Sequence, residues 1–211
     1  ADLQATLQGM GYMSGWAELK TKTKGKRLKA VYVLHPGERY HIGSVGYDIQ
    51  DSSIARILRT DDTKYQGLKT GEPFTLARLE EERSRIVRIL ADSGYFRFHK
   101  DFIMYGADSV SGRREVDLML HLLPYRAEGS TYEEPHPRYT VNSVNFLSND
   151  SNKVHLRPRV LRRSTAIRVG APFSASDLQR TYNNFARMQA VRYTHIKFRQ
   201  QPDTTLLDCD I

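Results

Sequence analysis

An α+β fold built from tandem copies of one small unit is what this sequence predicts, on three observations. RYHIGSVGY at residues 39–47 reappears as RYTVNSVNF at 138–146, and GEPFT at Gly71 reappears as GAPFS at Gly170, both pairs 99 residues apart. Two separate phrases at one offset define a repeated structural unit. Within a copy the apolar period runs from two to 3.6 and back to two, so strands bracket helices. A further partial copy opens the sequence: LQGMGYM (Leu7 to Met13) parallels LADSGYF (Leu90 to Phe96), and KRLKAVYVLHP parallels REVDLMLHLLP.

The complete copy sets the order of elements. Its opening strand puts Tyr40 and Ile42 on one parity and Val45, Tyr47 and Ile49 on the other, slipping at Ser44. Residues 138–147 slip at the equivalent place, from Tyr139 and Val141 to Val144 and Phe146, which predicts one shared bulge. Asp51, Ser52 and Ser53 offer N-caps for a short helix through Ile54, Ile57 and Leu58. The polar connection DDTKYQGLKT follows. Thr75 then caps a second helix on which Leu76, Leu79, Ile86, Val87 and Leu90 recur, ending at Gly94 as a C′ residue. Arg78 with Glu82 and Glu81 with Arg85 stand at i,i+4 and read as a solvated outer face.

After Gly94 the period returns to two. YFRFHKDFIMY (95–105), the turn DSVSGRR and EVDLMLHLL read as a hairpin, giving strand, helix, helix, strand, strand. Two helices on one face of a three-stranded mixed sheet make a core of adequate size. The last copy repeats the plan, with a helix opened by Pro158, a shorter second helix in DLQRTYNNFARM, a strand VRYTHIKF from Val191 and a final strand LLDCDI. The boundaries that follow are residues 1–37 as the second half of a unit, 38–126 as a whole unit, 127–136 as a linker, and 137–211 as a unit truncated in its last strand. The sequence reads as a piece of a longer chain.

The totals agree with a globular chain and exclude several classes. Of 211 residues, 39% are hydrophobic and 27% charged, so neither a disordered tail nor a membrane-spanning stretch is present. The start, ADLQATLQGMGY, lacks the charged-then-apolar order of a signal peptide and resembles the middle of a helix. Cys209 stands alone and alternates with Asp208 and Asp210, which points to a packed core thiol rather than a disulfide framework. A net charge of +8 favours nucleic acid, an anionic lipid surface or an acidic protein as partner, or serves solubility alone.

The order of elements, with Gly-x-Pro-Phe before the second helix and Gly-Tyr-Phe after it, resembles the POTRA domain. Such domains stand in the periplasm before the C-terminal β-barrel of the BamA/TamA (Omp85) family of Gram-negative outer membranes. The stretch PYRAEGSTYEEPHPRY further resembles the surface-antigen branch. The last copy departs from the pattern, with Gln189, Ala190 and Val191 where Gly-Tyr-Phe belongs. The resemblance implies sheets ordered 1-3-2 with the first and second strands as edges. It also implies unfolded outer-membrane β-barrel clients, accessory assembly proteins and the chain's own membrane barrel as partners, with no cofactor.

An open strand edge accepts a guest strand through main-chain hydrogen bonds, largely regardless of guest sequence. Lys20, Lys22, Lys24 and Lys26 mark the edge in AELKTKTKGK as guarded. The candidate client edge is therefore 95–105, with Tyr95, Phe96, Arg97, Phe98, His99, Lys100 and Phe102 as its residues; Phe96, Phe98 and Phe102 are also candidates for packing beneath the helices. Arg157, Arg159, Arg162, Arg163 and Arg168 form a candidate membrane-proximal basic patch or a solvated helix face.

Catalysis finds little support, because His35, His41, His99, His121, His136, His155 and His195 lack metal spacing and no phosphate loop or nucleophile elbow occurs. His99 and Asp101 share a predicted strand face and read as surface residues. Basic α+β repeats also include KH-like nucleic-acid binders, yet GLKTG at 67–71 is G-x-x-x-G rather than the G-x-x-G clamp, and no nucleic acid is expected.

Overall fold

The alternation of periods becomes eight strands and five α-helices in a computed structural model that describes residues 2–62, 67–109, 112–127, 129, 131–147 and 156–211. In chain order these are α1 (Leu3–Gly9), β1 (Trp16–Lys24), β2 (Arg27–His35), β3 (His41–Asp48), α2 (Ser52–Asp62), α3 (Leu76–Asp92), β4 (Ile103–Ser109), β5 (Glu115–Leu122), β6 (Thr140–Asn145), α4 (Pro158–Ser164), α5 (Ala175–Ala186), β7 (Lys197–Gln200) and β8 (Leu206–Asp210). Parts of the DDTKYQGLKT connection (63–66), the turn after β4 (110–111), the linker (128 and 130) and 148–155, including the histidine at 155, lie outside the described residues.

Three sheets result. β1 and β2 pair as an antiparallel ribbon; the other two sheets run β3-β5-β4 and β6-β8-β7. In both three-stranded sheets the first strand lies parallel to the last and the middle strand antiparallel to it. This is the 1-3-2 order that the resemblance implies.

The bulge is present in both first strands, between Ile42 and Val45 and between Val141 and Ser143. A serine fixes each one: Ser44 Oγ donates to Asp117 Oδ1 at 2.6 Å and Ser143 Oγ to Asp208 Oδ1 at 2.6 Å. Hydrogen bonds from Ser143, Asn142 and Gln201 hold the Asp208 carboxyl down to about 2.

Two compact units divide the chain, one of Ala1–Ser52, Arg59–Arg85 and Ile103–Leu123, the other of Ser53–Leu58, Ile86–Phe102 and Pro124–Ile211. In the first, Ile42, Leu68, Leu79, Val116 and Leu118 form the core. In the second, Val141, Ile167, Ile196 and Cys209 form one cluster, and Tyr139, Phe173 and Leu207 another. Burial pushes the Cys209 thiol up to about 12, which keeps it a neutral packing group.

Three expectations need correction. Residues 95–102 are not a strand: they form turns and a short 3₁₀ helix at Lys100–Phe102, and β4 begins only at Ile103. Val191–Ile196 is likewise irregular, and β7 begins at Lys197. Glu82 is 0% exposed rather than solvated, because it shares the helix face of Leu79 and Ile86. Arg85 neutralises it through Nε to Oε2 at 2.8 Å and Nη2 to Oε1 at 2.7 Å.

Candidate functional site

Main-chain groups on a sheet edge are a resource only where the chain itself has not used them. The first half of β3 is already covered. Ile42 N donates to Glu72 O (2.8 Å), Gly71 N to Ile42 O (2.7 Å) and Phe74 N to Tyr40 O (3.0 Å), so the Gly-x-Pro-Phe run lies along this edge. The last copy repeats it: Val141 N donates to Ala171 O (2.9 Å), Gly170 N to Val141 O (2.8 Å) and Phe173 N to Tyr139 O (3.0 Å). The recurring phrase is an edge cover. GLKTG at 67–71 is taken up in the same packing, with Gly67 O accepting from Arg78 Nη2 at 2.9 Å.

The opposite edge differs. Among the described residues β4 pairs with β5 alone, in register from Ile103 opposite Leu122 to Ser109 opposite Val116. Ile103 is buried and Tyr105 half-buried on the inner face, where burial and then the Glu82 charge push the Tyr105 hydroxyl up. Met104 on the outer face is 51% exposed, and Gly106 to Ser109 are exposed. In the other three-stranded sheet β7 holds the equivalent edge position with four residues against the seven of β4.

The predicted client residues fall elsewhere. Phe96 N, Phe98 N and Phe102 N donate locally to Gly94 O (3.0 Å), Tyr95 O (3.1 Å) and His99 O (3.2 Å), so no edge ladder runs through them. Their rings serve two different neighbours. Phe96 meets Tyr139, Phe173 and Phe198 at centroid distances of 5.7, 4.9 and 5.8 Å. Phe98 and Phe102 enclose the buried His136 at 4.9 and 4.6 Å, beside Tyr125, so the linker is folded onto this segment. Tyr95 is buried; Arg97, His99 and Lys100 are exposed, with His99 3.3 Å from Asp101.

Sequence reasoning missed the junctions that the Gly-Tyr and Arg-Tyr phrases build. After α1, Tyr40 N donates to Gly11 O at 2.8 Å and Arg39 Nε to Met10 O at 3.0 Å. After α3, Tyr139 N donates to Gly94 O at 2.8 Å and Arg138 Nε to Ser93 O at 2.7 Å. The signal was present in the shared spacing, but its meaning needed the long-range partners. Arg157, Arg159, Arg162 and Arg163 lie exposed at and along α4, with Arg168 exposed beyond it. Among the described residues no group of three His, Cys, Asp or Glu is placed to hold a metal ion, and no helix is long and apolar enough to cross a membrane.

No family model matches the sequence, and no curated protein matches it. Among solved structures the whole chain is similar to POTRA domains 3–5 of BamA from Haemophilus influenzae, at TM-score 0.59 and 13% identity, covering 79% of that chain. Over 81% of its length it is similar to BamA from Haemophilus ducreyi lacking POTRA domains 1–3, at TM-score 0.61 and 17% identity, and it spans 28% of that chain. At these identities the likeness gives the fold, which is that of tandem POTRA domains.

Proposed function

We propose that this chain, a tandem of POTRA folds, is the periplasmic part of a Gram-negative outer-membrane protein that assembles or translocates other proteins, and that it works without catalysis. It accepts extended segments of unfolded barrel clients, or of accessory proteins, by strand addition at β4. The observation that carries this reading is the asymmetry of the β3-β5-β4 sheet: Gly71–Phe74 covers the first half of β3, while β4 pairs on one side only among the described residues. The domain limits 1–37, 38–126 and 137–211 with a linker at 127–136 belong to the same proposal. So does a membrane-proximal role for Arg157, Arg159, Arg162, Arg163 and Arg168, for which their exposure and positive charge are the support.

Crosslinking tests the edge. A photoactivatable residue at Met104 or Asp108 should capture a peptide from an unfolded outer-membrane barrel, and one at Arg97 should not. Proline at Gly106 or at Ala107 removes one main-chain donor each, and neighbouring donors point to opposite sides of a strand. One of the two variants should therefore keep its unfolding temperature and lose capture. Equal capture at Arg97, or capture that survives both substitutions, contradicts the proposal.

A further inference from the structure

The β1–β2 ribbon carries a face that strand addition does not use. Cross-strand partners lie on one side of a ribbon, and the register pairs Trp16 with His35, Glu18 with Val33, Lys20 with Val31, Lys22 with Lys29 and Lys24 with Arg27. Five cations therefore share one face. Its single carboxylate, Glu18, lies 3.2 Å from Lys20 Nζ and 3.9 Å from His35 Nε2 at the far end from the turn. The other face holds Leu19, Leu28, Tyr32 and Leu34 beside Thr21 and Thr23, and is largely apolar with no charge.

Two like-charged pairs stand directly opposite each other at the turn end, Lys22 with Lys29 and Lys24 with Arg27, an arrangement that disfavours the ribbon by itself. Guarding an edge places charge along the edge strand, and does not call for facing cations on both strands. The arrangement becomes favourable when anions lie over it.

We infer that this face docks on an anionic phospholipid surface. Four of the five cations on this face are lysines, flexible point charges suited to scattered headgroup phosphates rather than to the planar, bidentate grip of a built phosphate site. Trp16, 49% exposed on the same face, is the amphipathic ring that sits at headgroup depth. His35 stacks on one face of this ring at 4.0 Å. The inference is independent of strand addition at β4, which uses another sheet.

The chain has one tryptophan, so Trp16 emission reports this face alone. Vesicles of phosphatidylglycerol in phosphatidylcholine should bind the full chain and shift that emission to the blue, more weakly as salt rises. K22Q/K24Q/K29Q should bind on the order of a hundredfold more weakly, from roughly 1 kcal/mol per surface lysine. Because these side chains are exposed and repel each other, circular dichroism and unfolding temperature should be kept or improved. Equal binding to pure phosphatidylcholine would assign adhesion to the apolar face and overturn the inference. So would undiminished binding by the triple variant, or tighter binding to a single-stranded oligonucleotide than to the vesicles.

Discussion

The two junctions use the same backbone bonds and the same arginine-to-carbonyl bond, and differ in the packing around them. At both, a tyrosine N–H reaches a glycine carbonyl at 2.8 Å and a phenylalanine N–H returns to the tyrosine carbonyl at 3.0 Å. Around Tyr139 the bonds are sealed: Phe96 fills the space against Tyr139 and Phe173, and Asp92 accepts from Ser174 Oγ (3.1 Å), Ser176 N (2.7 Å) and Ser176 Oγ (2.6 Å) at the start of α5. Around Tyr40, Met13 stands where Phe96 does and is partly exposed, Gly9 stands where Asp92 does, and Arg39 lies over the Tyr12 ring at 5.7 Å. A shared phrase sets the geometry of a joint. Residues outside the phrase set its strength, through apolar burial and satisfied charge.

The comparison is broken most severely at its tyrosines. Tyr139→Ala empties a buried aromatic site and should cost about 3–5 kcal/mol in urea unfolding, whereas Tyr40→Ala, at a half-buried site, should cost clearly less. Equal losses would mean that the backbone bonds, not the seal, carry both joints. Asp92→Ala should cost about 2 kcal/mol by removing charge-assisted bonds to the start of α5, and hydrogen exchange there should rise first.

The glycines sharpen the same comparison at a smaller scale. Gly11 and Gly94 hold φ of +93° and +103°, where alanine costs roughly 1–2 kcal/mol. A Cβ at Gly94 would meet Arg138 Cγ at 2.8 Å and the Pro172 side chain at 3.3 Å, while one at Gly11 would strike the Phe74 carbonyl oxygen more closely still. Gly11→Ala should therefore lower the unfolding midpoint more than Gly94→Ala, even though its joint is the less buried.

Much of this architecture was legible because it is written in periodicity. The bulges showed as parity slips at Ser44 and its equivalent, the α3 cap as Thr75, whose Oγ1 accepts from Arg78 N at 3.1 Å, and the α3 stop as Gly94. The start of β4 was not legible. Phe96 and Phe98 alternate as a strand would, yet each packs on a different neighbour, and local turns take their amides. Tertiary packing overrode the pattern there. Glu82 misled for a related reason: the i,i+4 pairing rule speaks of charges, and only the face shared with Leu79 and Ile86 told of its burial. The start of this strand accordingly reads eight residues too early in the sequence, on a segment that the linker around His136 packs against.

Hydrogen exchange of the two edges of the β3-β5-β4 sheet tests the account most directly. The amides of Ile42, Gly71 and Phe74 should exchange slowly with or without a barrel-derived peptide, and alternate amides of Ile103–Ser109 should exchange fast alone and slow when the peptide is added. Protection that arises along β3 instead, or β4 amides already slow without peptide, would contradict it.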